Sequence, residues 1–417
     1  MRHCSNHKIL LLLLFLLQGI FSFAQRRDIL LDRDWQVTAD LNQRNVSDQD
    51  ILFRKHPGYW KPVNLPHNLD DYHGYRRLLH GNLHGEAWYG RTLYLNETTK
   101  GKRYFLYFEG VGSYATVYVN RKLAGTHTGG RTGFTIDITP FVQTREALNE
   151  ISVHVAHPSD IRDLPWVCGG CSDERGFSEG SQPFGIFRPV HLMVTNDIRI
   201  EPFGVHAWAE VSQKNAKLHS NSTIKNYSSR QRNIQLEQQL LNKNGVVVNR
   251  VTVNKLMQPG DSLNIPISNI PISNIQLWTN LNPYLYKIVT LIKENGRVLD
   301  KLETDFGFRT ISWNGPTKQF LLNGQPVFLN GIAEYEHLLG QSHAFSAEQI
   351  RSRIKWIQSA GFNAFRDGHQ PHHLLYGQLF NQKGILWWTQ LSAHVWYDSK
   401  AFRDHFKQLL KEWVIER

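Results

Sequence analysis

Cysteine is scarce. Three occur in 417 residues; Cys4 falls in an apolar leader, so only Cys168 and Cys171 remain, in C-G-G-C. A disulfide-stapled scaffold is excluded, since such folds need several bridges. With no second C-x-x-C and no H-E-x-x-H, a zinc finger or zincin site is excluded too. The neighbours of C-G-G-C are loop and strand residues, not a helix start, which favours a small loop disulfide or two free thiols over thioredoxin-like redox chemistry. Long apolar runs are also missing. Ile9 to Leu17 is too short to span a bilayer, and no later stretch nears the roughly 20 apolar residues a spanning helix needs. Blocks of five or six basic residues are absent as well, so the net charge of +11 is thinly spread and nucleic-acid binding is not expected.

What the chain does have is 41% hydrophobic and 12% aromatic residues, enough for two or three packed domains. Arg2 and Lys8 before the apolar run, then Ser22-Phe23-Ala24, read as a cleavable secretory signal over 1–24. A secreted or periplasmic location follows as an expectation. From 25 to 196 short alternating strands such as Tyr104 to Phe108 and Thr116 to Asn120 predict a β-sandwich. Residues 197–311 continue in β style, with strands predicted at Gly245 to Val248 and Tyr286 to Thr290, as a smaller second sandwich. Within it Asn264-Ile265-Pro266-Ile267-Ser268 recurs at once as Asn269 to Ser273. A repeat that brief lengthens a loop or an edge strand, because each Pro removes a ladder donor.

After Trp313 the rhythm becomes strand then helix. A strand is predicted over Pro326 to Asn330. Ser346-Ala347-Glu348-Gln349 forms a capping box ahead of Ile350, Ile354 and Ile357 on one helical face, and Gly361 closes that helix. Phe362 to Arg366 is the next strand, Pro371 opens a helix through Leu375 and Leu379, and Ile385 to Trp388 is a third strand. Phe402, Phe406, Leu409, Leu410 and Trp413 stripe a third helix. Three βα units predict parallel strands, in a doubly wound sheet or a (β/α)8 barrel. About three of eight barrel units are present over 312–417.

Phe108-Glu109-Gly110-Val111-Gly112-Ser113-Tyr114, Trp88-Tyr89-Gly90-Arg91 and Gly185-Ile186-Phe187-Arg188-Pro189-Val190 resemble the jelly-roll sugar-binding domain of glycoside hydrolase family 2. Asn282-Pro283-Tyr284-Leu285-Tyr286 and Phe306-Gly307-Phe308-Arg309 resemble the end of its immunoglobulin-like domain, and Val327-Phe328-Leu329-Asn330-Gly331 the entry to its TIM barrel. The resemblance implies a jelly roll (25–196), an immunoglobulin-like sandwich (197–311) and a partial barrel (312–417). It further implies retaining hydrolysis of a terminal β-linked sugar, a β-galactoside foremost, with an oligosaccharide or glycan as the partner. A homo-oligomer is compatible with it.

A retaining glycosidase needs two carboxyl groups about 5–5.5 Å apart. The resemblance puts both on later barrel strands, so no catalytic residue is expected within this chain, and it is expected to be an inactive fragment; the alternative is a non-catalytic carbohydrate-binding protein. Asn363-Ala364-Phe365-Arg366-Asp367-Gly368-His369-Gln370-Pro371 matches the family's N-x-x-R-x-x-H-x-P. Arg366 and His369 are therefore the candidate substrate-binding pair, with structural ion pairing as the rival role for Arg366. Trp388 and Trp396 are candidate stacking surfaces for a sugar, although one of Trp387 and Trp388 must face the core. Two departures stand out. Where many members carry Asn and then His-Glu, this chain reads Ala333-Glu334-Tyr335-Glu336-His337, and the usual acidic pair at the third strand exit is Thr389-Gln390. The family's Mg²⁺ or Na⁺ contacts are partly replaced, so no metal or other cofactor is assigned. Gly176 to Gly180 fits G-x-S-x-G, but lacks the strand-to-helix setting of a nucleophile elbow.

Overall fold

The computed structural model describes residues 26–39, 46–70, 83–96, 101–166, 183–337, 340–392 and 397–417. The leader, Cys168, Cys171, Gly176 to Gly180 and Trp396 lie outside the described residues.

Two antiparallel sheets make the first sandwich. One has six strands, in the order Lys61–Val63, Trp35–Ala39, Gly85–Leu95, Ala147–His157, Tyr114–Val119, Lys122–Thr128. The other runs Arg27–Leu30, Val190–Asn196, Lys102–Phe108, Phe134–Asp137. Alternation drives the packing. Ala87, Tyr89, Val153 and Val155 point inward with Leu106, Phe108 and Leu192 into one apolar core, while Trp88 points outward. The outward Trp88 is covered by a short helix, Asp48–Leu52, which the sequence reading did not anticipate; Ile51 and Trp60 pack with it.

The second sandwich pairs a three-stranded sheet (Ile198–Ser212, Asn215–Asn226, Ser262–Ser273) with a four-stranded one (Val247–Met257, Arg232–Leu241, Tyr286–Glu294, Arg297–Phe306). The predicted strand at Gly245 begins two residues later, because Gly245 closes a turn on Asn242. The pentapeptide repeat forms a single edge strand. A period of five would turn the two copies to opposite faces, since strand side chains alternate with period two. One extra residue prevents this: Ser220 pairs with Ile267 but Leu218 with Ile270, and Asn269 sits at φ 60°. Ile265, Ile267, Ile270 and Ile272 consequently all join one core.

Beyond it, a small antiparallel hairpin sheet (Ile311–Asn314, Gln319–Leu322, Gln325–Pro326) precedes three parallel strands, Gly331–Glu334, Ala364–Asp367 and Leu386–Trp388. The strand predicted at Pro326 to Asn330 is thus displaced: Pro326 closes the hairpin against Leu321, and Gly331 starts the parallel strand. Asn330 instead knots the strand entries: its backbone N–H donates to Asn363 Oδ1 at 2.9 Å, and its carbonyl accepts from the backbone N–H groups of Asn363 and Ala364. Helix Ala347–Ser359 carries both bonds of the capping box at Ser346 and Gln349 and buries Ile350, Ile354 and Ile357. Helix Leu374–Lys383 starts three residues after Pro371, with His373 as its cap. Gly384, at φ 76°, ends it. Helix Lys400–Glu416 buries Phe402 and Leu409, with Phe406 and Trp413 partly covered; Leu410 proves largely solvent-facing.

Candidate active site

Parallel register decides which side chains meet. Arg366 pairs with Ala333 on one side and Trp388 on the other, while Phe365 pairs with Ile332 and Trp387. Phe365, Ile332 and Trp387 therefore face the helices, where Gly377 leaves room for the indole of Trp387. Trp387 is the core tryptophan. Its neighbour Trp388 takes the opposite face beside Arg366 and is 66% exposed.

At the C-terminal strand ends one amide oxygen gathers the motif. Gln390 Oε1 accepts from Arg366 Nε and from the His369 backbone N–H, both at 3.2 Å. The second guanidinium edge lies 3.4 Å from His369 Nδ1, and the guanidinium carbon sits 5.4 Å from the Trp388 ring centre. Among the described residues no carboxylate forms an ion pair with Arg366. His369 has φ 69°, a left-handed backbone that a non-glycine residue seldom adopts. Tyr335 presents its edge to the imidazole at 5.5 Å and is itself 42% exposed. Tyr335 stands at the first strand exit where the resemblance puts a sugar-contacting His. The predicted pair is thus brought together with Trp388, and Tyr335 joins them; Trp396 lies outside the described residues.

Asp367 organises this cluster from below. Fully buried, it accepts from Trp387 Nε1 at 2.7 Å, Thr389 Oγ1 at 2.8 Å and the Gln390 amide at 3.3 Å, and His372 Nδ1 lies 3.2 Å away. Sequence reasoning passed over it. The signal was available nonetheless, as a charged residue inside the matched motif in a chain whose third strand exit lacks its acidic pair. A carboxylate does stand beside that exit, delivered from the second strand.

The neighbouring acids are all committed to partners. Glu334 meets Arg353 at 3.3 Å and Tyr376 Oη at 3.4 Å; burial pushes its pKa up. Glu336 bonds Arg188 at 2.9 Å and the His373 amide at 2.8 Å. Burial alone would raise the Glu336 carboxyl, but the charges of Arg188, His372 and His373 and the His373 N–H override it and hold the pKa to about 2. Arg188 comes from the first sandwich and also donates to the carbonyls of Pro371 and Arg131. His373 reaches back to Glu109, 3.2 Å away. Farther along, Glu412 accepts from Thr132 at 2.6 Å and Glu416 from the Gly133 amide at 3.0 Å. The strand ends are therefore locked onto the jelly roll by buried charge. Trp278 of the second sandwich completes the seating, donating to the Asn381 carbonyl at 2.8 Å.

Comparison with known proteins agrees with this architecture. Residues 17–196 match the sugar binding domain of glycosyl hydrolases family 2, residues 198–309 the "Glycosyl hydrolases family 2" domain and residues 316–399 the family's TIM barrel domain. A β-glucuronidase of Bacteroides fragilis is 27% identical over 96% of this chain and 56% of its own length. A β-galactosidase of Thermoanaerobacter pseudethanolicus is 28% identical over 93% of this chain and 50% of its own. The chain thus spans about half the length of these curated relatives. A Bacteroides uniformis β-glucuronidase structure superposes with a TM-score of 0.83 at 22% identity, covering 94% of this chain and 45% of that one. A second structure, a "putative beta-galactosidase" of B. fragilis, gives 0.80 at 24%, over 94% and 57%. At those identities the likeness speaks for the fold. Three domain models of one family, matched in chain order over a sandwich, a second sandwich and parallel βα units, establish that the chain belongs to glycosyl hydrolases family 2.

Proposed function

We propose that the protein serves the hydrolysis of terminal β-linked sugars from glycans, and that the part of the site carried by Arg366, His369, Trp388 and Tyr335 holds the sugar. One observation carries this reading: a guanidinium and an imidazole, fixed by a shared amide oxygen, open between two exposed aromatic rings at the strand ends where barrel sites form. Aromatic faces stack on the C–H surface of a sugar, while the cation and imidazole address its hydroxyls or a neighbouring carboxylate. The names of the relatives direct the choice of probe to β-galactosides and β-glucuronides. Export is part of the proposal, resting on residues 1–24.

A second reading, sugar binding without cleavage, has its own support. Glu334, Glu336 and Asp367, the described carboxylates at these strand ends, are each held by structural partners. Turnover of aryl β-galactoside and β-glucuronide, together with calorimetric titration of galactose and glucuronate, tests both readings. Turnover lost in Arg366→Ala supports hydrolysis. Saturable binding without turnover supports the second reading, and the absence of both turnover and binding overturns both.

A further inference from the structure

On the outer face of the six-stranded sheet, away from the inner core, three side chains converge with no assigned role. We propose that Asp48, Glu86 and His154 form a binding site for a divalent transition-metal ion of zinc type. Their ligand atoms all lie within 4.8 Å of one another. Each comes from a different element: Asp48 opens the Asp48–Leu52 helix, while Glu86 and His154 stand on adjacent strands. The register pairs Trp88 with His154, so Glu86 is its diagonal neighbour on the same face.

Trp88 pre-forms the site from two sides. Its indole N–H donates to Asp48 Oδ1 at 3.2 Å, and its ring lies 4.8 Å from that of His154. The first contact leaves Asp48 Oδ2 for an ion, and the second fixes the plane of the imidazole. Such outer contacts are what orients ligands at metal sites. His154 Nε2 gives the independent sign. It is closed to solvent and makes no hydrogen bond, although Glu86 Oε2 is 3.4 Å away. That separation is the spacing of two ligands on a tetrahedral ion with bonds of about 2.1 Å, which is roughly 3.4 Å. Asp48 and Glu86 are exposed and free to close the remaining gap, and three protein ligands leave a fourth position for water. One imidazole nitrogen with two carboxylate oxygens suits zinc or cobalt(II) better than the hard ions Ca²⁺ and Mg²⁺. The ion would clip the helix that covers Trp88 onto the sheet.

The test uses the full chain titrated with ZnCl₂ by calorimetry and with CoCl₂ by visible absorption. One equivalent of Co²⁺ should give the intense d–d bands of a low-coordinate site and be displaced by zinc, and zinc should raise the melting temperature. Glu86→Gln and His154→Gln should each weaken zinc binding at least about 10-fold and abolish the zinc-induced rise. Glu86 is exposed, so that variant keeps the fold intact. The chain has 20 histidines, which makes stray binding the relevant control. Binding unchanged in both variants, or no stoichiometric site at micromolar metal, overturns the proposal.

Discussion

Replacing Glu336 by Gln probes the junction on which the candidate site rests. Both partners of the Arg188–Glu336 pair have side chains only 2% exposed, at 2.9 Å. A carboxyl moved from 4.5 to about 2, at ~1.4 kcal/mol per pH unit, contributes about 3 kcal/mol. Gln keeps the shape but leaves the guanidinium buried without its counter-charge, and breaking such a pair costs about 3–5 kcal/mol. The folded pKa is depressed, so the contribution is fully present above about 4.5 and fades as pH falls through about 2. Urea unfolding of wild type and Glu336→Gln at pH 7, 4 and 3 measures the difference, with hydrogen exchange in Gly331–Glu334 showing that it resides at the junction. The penalty should be about 3 kcal/mol or more at pH 7 and shrink steadily below pH 4.5. A difference under about 1 kcal/mol at pH 7, or one that stays constant to pH 3, refutes the reasoning.

Other perturbations report on the site and its supports. Asp367→Asn turns one acceptor into a donor facing Trp387, Thr389 and Gln390; a loss of about 2–4 kcal/mol in chemical denaturation is expected, together with weaker sugar binding as Gln390 loses its anchor. Arg366→Ala should leave the melting temperature within a degree or two, because the side chain makes no ion pair among the described residues, yet lower sugar affinity or turnover at least about 10-fold; unchanged affinity and turnover would remove Arg366 from the site. Gly384→Ala places a Cβ 2.2 Å from the Asn280 carbonyl oxygen at φ 76°, so destabilisation above about 1 kcal/mol should appear in thermal unfolding. Deleting Asn269 removes the extra residue of the edge strand and leaves Ile265, Ile267, Ile270 and Ile272 at even spacing on one face without a bulge; solubility close to wild type and only a small shift of the melting transition are expected, and insoluble protein would overturn this account of the bulge.

The capping box at Ser346 and the β pattern of Thr116 to Val119 were legible because both are local: a side chain meets a backbone three residues away, or alternates with period two. Arg366 and His369 were legible by another route, the match of Asn363 to Pro371 to the family's N-x-x-R-x-x-H-x-P, which the resemblance places at a strand exit. The helix over Trp88 was not, since five residues with a single buried Ile carry too little periodicity to stand out. Nor was the true start of the first parallel strand, where the hairpin through Pro326 and the pairing of Gly331 with Ala364 compete for the same stretch of chain.

From the residues alone follow two sandwiches and then βα units, because alternation, caps and turns act between near neighbours in the chain; the Arg and His at a strand end follow from the resemblance to the family motif. Tertiary structure alone decided how that Arg is held. Gln390 lies 24 residues from Arg366, Asp367 reaches 22 residues to Thr389, and Glu336 finds Arg188 across 148. Buried charges at such separations choose their partners only when packing brings them together, so no short-range pattern in the chain records the choice.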